Sequence, residues 1–246
     1  MKLTNQEFLD LKKLKIKKFR DQNDYFLIEG LHLIEEAKKS NLLKFIITSD
    51  NNYQDQNIKV KYTSYKNILQ LSTTKTPQEY IGLCQKIKFK DYFSNNILVL
   101  NNINDPGNLG TLIRTALAFN FNDIIVEGVD IYNSKVLRSS QGAIFSANIF
   151  NTKNLIKDLK FLKNQKYKIV GSLLDKKAQH YQNLLFNQND KIILVLGNES
   201  KGITKNIIKL LDFKIYIPIN FESLNVAVAG GILMAHLNKK ISKAKL

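Results

Sequence analysis

The chain of 246 residues has one cysteine, Cys84. That excludes a disulfide-stapled scaffold and a thiolate metal cluster, each of which needs several, and it fits a reducing cytoplasm. Long apolar runs are also missing. The longest lies near Val226–Ala235, about half of the roughly 20 residues a helix needs to cross a bilayer. The opening residues do not combine basic, apolar and small-residue blocks, so no secretory leader is expected. Nothing recurs at the period of a solenoid repeat. Acidic residues are scarce, 21 against 37 basic ones, for a formal net charge of +16. Such an excess points to a polyanionic partner, although a chain rich in Lys, Asn and Ile also arises from an AT-rich genome. Within the excess, arginine is rare: Arg20, Arg114 and Arg138 are the three. A guanidinium is a rigid fork suited to phosphate or carboxylate, so each of them merits inspection in so lysine-rich a chain.

What is present reads as two α/β units. The first twenty residues have Phe8, Leu11 and Leu14 at helical spacing, with Lys12, Lys13, Lys15, Lys17 and Lys18 around them. A solvated basic face and an RNA contact are both open for that run. Tyr25–Glu29, Leu43–Thr48, Ile58–Tyr62 and Tyr80–Ile87 read as strands, with helices over Leu31–Lys39 and Tyr65–Leu71. Residues 1–88 are thus a small first domain, and the aperiodic, charged stretch Lys86–Asn96 is the expected linker. In the second domain, residues 96–246, apolar strands alternate with helices. The strands are Ile97–Leu100, Asp123–Val126, Ala147–Phe150, Lys168–Gly171, Ile192–Leu196 and Phe213–Ile217; the helices are Leu109–Asn120, Asn133–Arg138, Thr152–Asn164, Thr204–Leu210 and Leu224–Asn238. That alternation predicts a mainly parallel sheet covered on both faces.

Three segments follow predicted strands, where ligands bind in open α/β sheets. In Asn101–Gly110, Asp105-Pro106-Gly107 is a turn signal and Asn108 stands where a helix N-cap belongs. Its glycines lack the spacing of a dinucleotide fingerprint, which sets aside a nicotinamide-dependent oxidoreductase. Leu196–Ile203 superficially resembles a phosphate loop, but its Lys-Gly order is the reverse of what such a loop needs. It carries Glu199 just past a buried-type strand, where carboxylates are seldom left without a partner. Ile217–Asn225 offers Ser223 as a cap for the last helix, which contains Gly230-Gly231. Two interior glycines cost about 1 kcal/mol each relative to alanine, so a close backbone approach is expected there. Each segment alone also reads as an ordinary strand–turn–helix junction.

In this order and spacing the three segments resemble the three motifs of the SpoU family of RNA ribose methyltransferases. The resemblance extends to Tyr25–Gly30 and Leu71–Gln78, similar to the opening and closing segments of that family's RNA-binding domain, and to Lys135–Ala143, similar to the family's middle segment. It covers nearly the whole chain. It implies an N-terminal substrate-binding domain and a C-terminal α/β domain with a parallel sheet and a deep trefoil knot. It implies S-adenosylmethionine as cofactor, lined by Gly197, Ile217 and Leu224. It matches Asn108, Arg114, Glu199, Ser223 and Asn225 to the family's active-site positions, and Arg20 and Arg138 to RNA contacts.

The expected reaction is methylation of a ribose 2′-hydroxyl in structured RNA, ribosomal RNA foremost, by a cytoplasmic homodimer without metal. In that chemistry the hydroxyl must lose its proton as it attacks, so positioning and charge stabilisation are needed. An arginine stays protonated, so Arg114 is expected to hold phosphate and stabilise the developing alkoxide, oriented by Glu199. The isolated His32, His180 and His236 show no metal-ligand spacing. Two alternatives remain: a transfer RNA methyltransferase, and a non-catalytic RNA-binding protein, whose signature would be loss of Asn108, Arg114, Glu199 or Asn225. Two features depart from the family pattern. The third segment lacks a glycine between Pro218 and Ser223, and Ser200 stands where glycine is common.

Overall fold

The computed structural model describes residues 1–90, 93–175, 177–187, 189–220 and 222–238. The chain divides into two compact units: residues 1–88 with 130–145, and residues 89–129 with 146–246. The sequence-based division placed 130–145 wholly in the second domain. Here it packs in the first unit, because Tyr132 and Phe145 set their rings on buried Phe26, at centroid distances of 4.5 and 6.4 Å.

The first unit opens with α1 (Asn5–Lys13), where Thr4 and Glu7 form a reciprocal capping box. One continuous basic helix was the expectation. Instead the chain stops at Leu14, Ile16 is extended, and α2 (Lys17–Asn23) starts afresh. The break keeps Leu11 and Leu14 in the core and turns Arg20 inward as well. β1 (Tyr25–Glu29), α3 (Leu31–Lys39), β2 (Leu43–Thr48), β3 (Lys59–Tyr62), α4 (Tyr65–Leu71) and β4 (Tyr80–Gln85) follow. Their sheet has the order β1-β4-β2-β3, antiparallel except for β2–β3. Leu11, Leu14, Ile68 and Leu71 from α1 and α4 cover one face over Ile47 and Ile81. Each such fully buried aliphatic side chain contributes about 1.5–3 kcal/mol.

The second unit begins with β5 (Asn96–Asn101), α5 (Pro106–Ala118) and β6 (Asp123–Glu127). The chain then contributes α6 (Ser134–Ser139) to the first unit and returns as β7 (Asn148–Thr152), α7 (Leu155–Asn164) and β8 (Tyr167–Ser172). It ends with β9 (Gln179–His180), β10 (Lys191–Gly197), α8 (Lys205–Ile208), β11 (Phe213–Tyr216) and α9 (Val226–Leu237). The two-residue β9 has too little apolar periodicity to be read from sequence. All pairings in the order β7-β6-β5-β10-β8-β11-β9 are parallel. Leu155, Leu159 and Leu162 of α7 and Ile207 of α8 cover one face. On the other, α9 crosses β10 and α5 at Gly230, where a β-carbon would stand 2.5 Å from Leu112 and 2.8 Å from Leu196. The close approach expected at the paired glycines is therefore made by side chains, not backbone, and only at Gly230. Gly231 meets Thr115 at an ordinary 3.6 Å.

The strand sequence runs outward through β5, β6 and β7, then resumes on the other side of β5. β5 and β10 lie side by side at that reversal, with Asn101 paired to Gly197 at their carboxyl ends. A crevice outside the carboxyl ends of two such strands is where an open parallel sheet receives a ligand. Among the described residues no helix is long and apolar enough to cross a membrane.

Candidate active site

Asn101 ends β5 fully buried. Its Oδ1 accepts the Thr204 N–H at 2.9 Å, and its Nδ2 donates to Glu127 at 3.1 Å. One side chain thus ties the stretch after β10 to the ends of β5 and β6. A few residues on, Asp105 caps α5, accepting from the Asn108 N–H at 2.8 Å, with Pro106 at the first helical position. The expected cap, Asn108, is instead inside the first turn. That frees its amide for the site: Nδ2 donates to Glu199 at 3.0 Å, and Oδ1 accepts from Asn225 Nδ2 at 2.9 Å.

Glu199 is carried on a tight hairpin. Asn198 and Gly202 exchange backbone hydrogen bonds of 3.1 and 2.9 Å. Asn198 Oδ1 accepts from the N–H groups of Ser200 and Lys201, and its Nδ2 donates to the Asn102 carbonyl at 2.9 Å. Partial burial pushes the Glu199 carboxyl up. Donation from Asn108 and from the backbone N–H groups of Glu199, Asn104 and Asp105 outweighs it and holds the group below the usual carboxylate range. A depressed folded value adds stability above the unfolded value, and that stability is lost as pH falls through the folded one. We expect cofactor affinity to stay level from pH 8 to 5 and to decline only below the ordinary carboxylate range. Calorimetric titration of Glu199→Gln carried down through the carboxylate range should lack that decline, and a decline near pH 6 in the wild type would exclude Glu199 as its source.

The third segment converges on the same place. Asn225, not Ser223, caps α9, its Oδ1 accepting from Ala227 and Val228. Ser223 stands exposed two residues earlier on the wall of the crevice. Serine and asparagine are both good caps, and the geometry of the last strand selects the second. The cavity itself is about 440 Å3, within the range of small-molecule sites. Gly197, Ile217 and Leu224, the expected cofactor residues, all line it, with Glu199, Ile219 and Val226. Gly197 is crowded by backbone: an added β-carbon would lie 2.2 Å from the Gly202 carbonyl carbon.

Arg114 is set apart. It is exposed on α5 and has no ion pair among the described residues. At 100° per residue it lies on another side of the helix from Asn108 and about 9 Å along the axis. Glu199 is engaged with Asn108, so the expected orientation of Arg114 by Glu199 is not seen. The residues sequence reasoning left out are Asn101 and Asn198; the available signal was a polar side chain ending an otherwise apolar strand. An Asn101→Asp variant turns a carboxylate toward Glu127 while keeping the acceptor for Thr204. We expect it to lose about 1–3 kcal/mol of stability and Asn101→Asp/Glu127→Gln to recover most of it, read as melting temperatures. No recovery would mean that the pair does not act as a donor–acceptor couple.

Arg20 is only 6% exposed. Its guanidinium donates to the Leu14 carbonyl at 2.7 Å and pairs with Asp130, so it is an internal staple of the first unit rather than a surface contact for RNA. Arg138 is half-buried and donates to Thr73 Oγ1 at 2.9 Å. Among the described residues, no three His, Cys, Asp or Glu side chains stand together as a metal site.

A cavity at the carboxyl ends of β8, β10 and β11, joined through Glu199 to Asn108 at the start of α5 and through it to Asn225, is the ligand site of an α/β enzyme. The chain belongs to the SpoU rRNA Methylase family, which it matches over residues 95–235, and residues 5–82 match the MRM3-like substrate binding domain. It is 35% identical over 242 residues to the 23S rRNA (guanosine(2553)-2'-O)-methyltransferase RlmP of Bacillus subtilis, covering 95% of this chain and 96% of that protein. Among solved structures it resembles a putative RNA methyltransferase of the TrmH family from Porphyromonas gingivalis, with TM-score 0.86, 25% identity and coverage of 96% and 98%. It also resembles an AdoMet-bound rRNA methyltransferase from Sinorhizobium meliloti, with TM-score 0.83, 25% identity and coverage of 96% and 95%.

Proposed function

We propose that this protein methylates a ribose 2′-hydroxyl of ribosomal RNA using S-adenosylmethionine. The observation that carries the reading is the chain Glu199–Asn108–Asn225, which hydrogen-bonds all three motif segments together and starts from the cavity wall at Glu199. The cavity suits the cofactor: Ile217, Ile219, Leu224 and Val226 offer an apolar wall, and Glu199 stands beside it as a polar group. When bound, the cofactor supplies a methyl group activated by a sulfonium. The chain's part is to orient the nucleophile and offset charge. The Asn108 amide sits between a carboxylate and Asn225, so its rotamer is held and the loops that carry Glu199 and Ser223 keep their spacing. Arg114, whose guanidinium has no ion pair among the described residues, is available to a substrate phosphate and to the oxygen that loses its proton as the new C–O bond forms. This reading gives Arg138 the RNA contact and leaves Arg20 a supporting role.

The same reading includes a cytoplasmic homodimer and a knotted C-terminal region, with the catalytic domain drawn from residues 96–246 apart from 130–145. The dimer is supported by the solvent face of α9, where Val228 is 52% exposed beside half-buried Gly231 and Ile232, an apolar strip that would seat another helix. The net charge of +16 suits an RNA partner, with affinity expected to fall steeply as salt rises. The test is transfer of labelled methyl to ribosomal subunits and total RNA from cells lacking the protein, followed by nucleoside mapping. Label at one 2′-O-methyl nucleotide of ribosomal RNA is the expected result; label confined to transfer RNA would replace the substrate, and none at all would leave a binding protein.

A further inference from the structure

Three sequence segments have no part in the methyl-transfer site: Tyr25–Gly30, Leu71–Gln78 and Lys135–Ala143. In the first unit they meet around one cleft. Glu29, ending β1, accepts from Ser72 Oγ at 2.8 Å and from Thr74 Oγ1 at 2.5 Å. Thr73, between them, accepts from Arg138 at 2.9 Å. Lys15 closes the same rim by donating to the Gln70 and Ser72 carbonyls at 3.0 and 2.8 Å. Beneath lies an apolar floor that includes Leu27, Ile28 and Leu137. Arg20 forms part of the wall, and although its two terminal nitrogens are engaged, its Nε–H is buried without an acceptor.

The chemistry of the lining narrows the ligand. A free phosphate or similar anion has nothing to gain from the leucine and isoleucine floor, and the carboxylates of Glu29 and Asp130 offset the cations. A purely apolar ligand would leave Glu29 and Arg138 unused. A nucleobase meets both demands. Its face is apolar, while its edge carries N–H groups for a carboxylate and carbonyl or ring-nitrogen acceptors for a guanidinium. Its own phosphate would then lie at the cleft mouth, within the reach of a long arginine side chain. A paired and stacked base cannot enter such a cleft, so the site selects loops, bulges and single strands.

We propose that this cleft holds one unstacked base of the RNA substrate, with the adjoining phosphate on Arg138. The proposal rests on the reading of RNA as substrate, and it adds a second recognition point distinct from the reacting ribose. It also accounts for the position of 130–145, whose Arg138, Asn133 and Ser134 complete the cleft within the first unit.

The test uses the full chain and a labelled twelve-nucleotide RNA of mixed sequence, single-stranded or annealed to its complement, read by fluorescence anisotropy. The wild type is expected to bind the single strand at least about ten-fold more tightly than the duplex, whose paired and stacked bases cannot enter the cleft. Ser134→Trp, which fills the cleft, is expected to lower single-strand affinity about ten-fold and leave duplex affinity and cofactor affinity unchanged; Arg138→Ala, which removes the phosphate contact, is expected to lower single-strand affinity about ten-fold and leave cofactor affinity unchanged. Both should raise the RNA concentration needed for half-maximal methyl transfer. Circular dichroism melts of both variants matching the wild type would show that folding is intact. If Ser134→Trp fails that check, Arg138→Ala decides alone. Equal affinity for single strand and duplex, or wild-type behaviour of folded Arg138→Ala, would overturn the proposal while leaving methyl transfer standing. Single-strand preference lost in the variants, with no methyl transfer to any RNA by the wild type, would instead keep the cleft and remove the enzymatic reading.

Discussion

Arg114→Ala should lower methyl transfer to RNA by about 10²–10³-fold, the usual cost of removing one donor to a developing oxyanion. The reasoning starts from what Arg114 lacks. The amides and the carboxylate of the site are already committed: Asn108 to Glu199 and Asn225, and Asn225 to the start of α9. Glu199 likewise takes Asn108 and the Asn104 N–H. A committed group can hold a shape but has little left to offer a charge that appears only in the transition state. Arg114 is exposed and unpaired among the described residues, so its donors remain free. Truncation should therefore leave cofactor affinity and melting temperature near those of the wild type while turnover collapses. Arg114→Lys keeps the charge and loses the planar fork, and it should recover only a small part of the rate. Full activity in the lysine variant would show that charge alone suffices. Full activity in the alanine variant would remove Arg114 from the mechanism.

The second large effect is expected from the smallest change. Gly197→Ala places a β-carbon 2.2 Å from the Gly202 carbonyl carbon, 2.3 Å from the Ile203 nitrogen and 2.5 Å from the Gly202 oxygen. All three are backbone atoms, so no side-chain rotation relieves the overlap. The hairpin must open, and opening breaks the paired Asn198–Gly202 hydrogen bonds. Glu199, carried at its tip, is then drawn away from Asn108. Cofactor affinity should fall at least about 100-fold, with a drop of several degrees in melting temperature, measured by calorimetry and thermal denaturation. Gly231→Ala is the control. Its new β-carbon meets only Thr115 Cγ2 at 3.6 Å, so helix propensity should make it neutral or slightly stabilising, by up to about 1 kcal/mol. Normal cofactor binding by Gly197→Ala would mean that the hairpin is plastic and that the cofactor does not depend on its shape.

The two helix starts beside the site show where local reading stops. The sequence offers Asp105 and Asn108 before α5, and Ser223 and Asn225 before α9. Each is a capping residue by type; the sequence reading takes Asn108 and Ser223 as the caps, and the structure uses Asp105 and Asn225. The choice depends on where the preceding strand releases the chain, which is set by pairing of β5 with β10 and of β11 with β8. The error has a functional consequence: with Asp105 as the cap, Asn108 is free to bridge Glu199 and Asn225. Arg20 shows the same limit. A basic residue in a basic run is read as solvated, yet a break at Leu14–Ile16 turns it under the surface to meet Asp130.

What the sequence by itself determined was whatever depends on neighbours in the chain. Strand runs and helix periods gave most elements to within a few residues, because the apolar spacing of a helix or strand is a local property. The ordered motifs identified the residues of the cavity, Gly197, Ile217 and Leu224, because their spacing from the strand ends is short. Tertiary structure alone decided the strand order that sets β5 beside β10, the hydrogen-bonded chain from Glu199 through Asn108 to Asn225, the buried tie of Asn101 to Thr204, and the packing of 130–145 on Phe26. Each of these joins residues tens of positions apart or more. A side chain's partner across that distance is settled by how the sheets and helices close over their cores, and that information is spread over the whole chain rather than held in any motif.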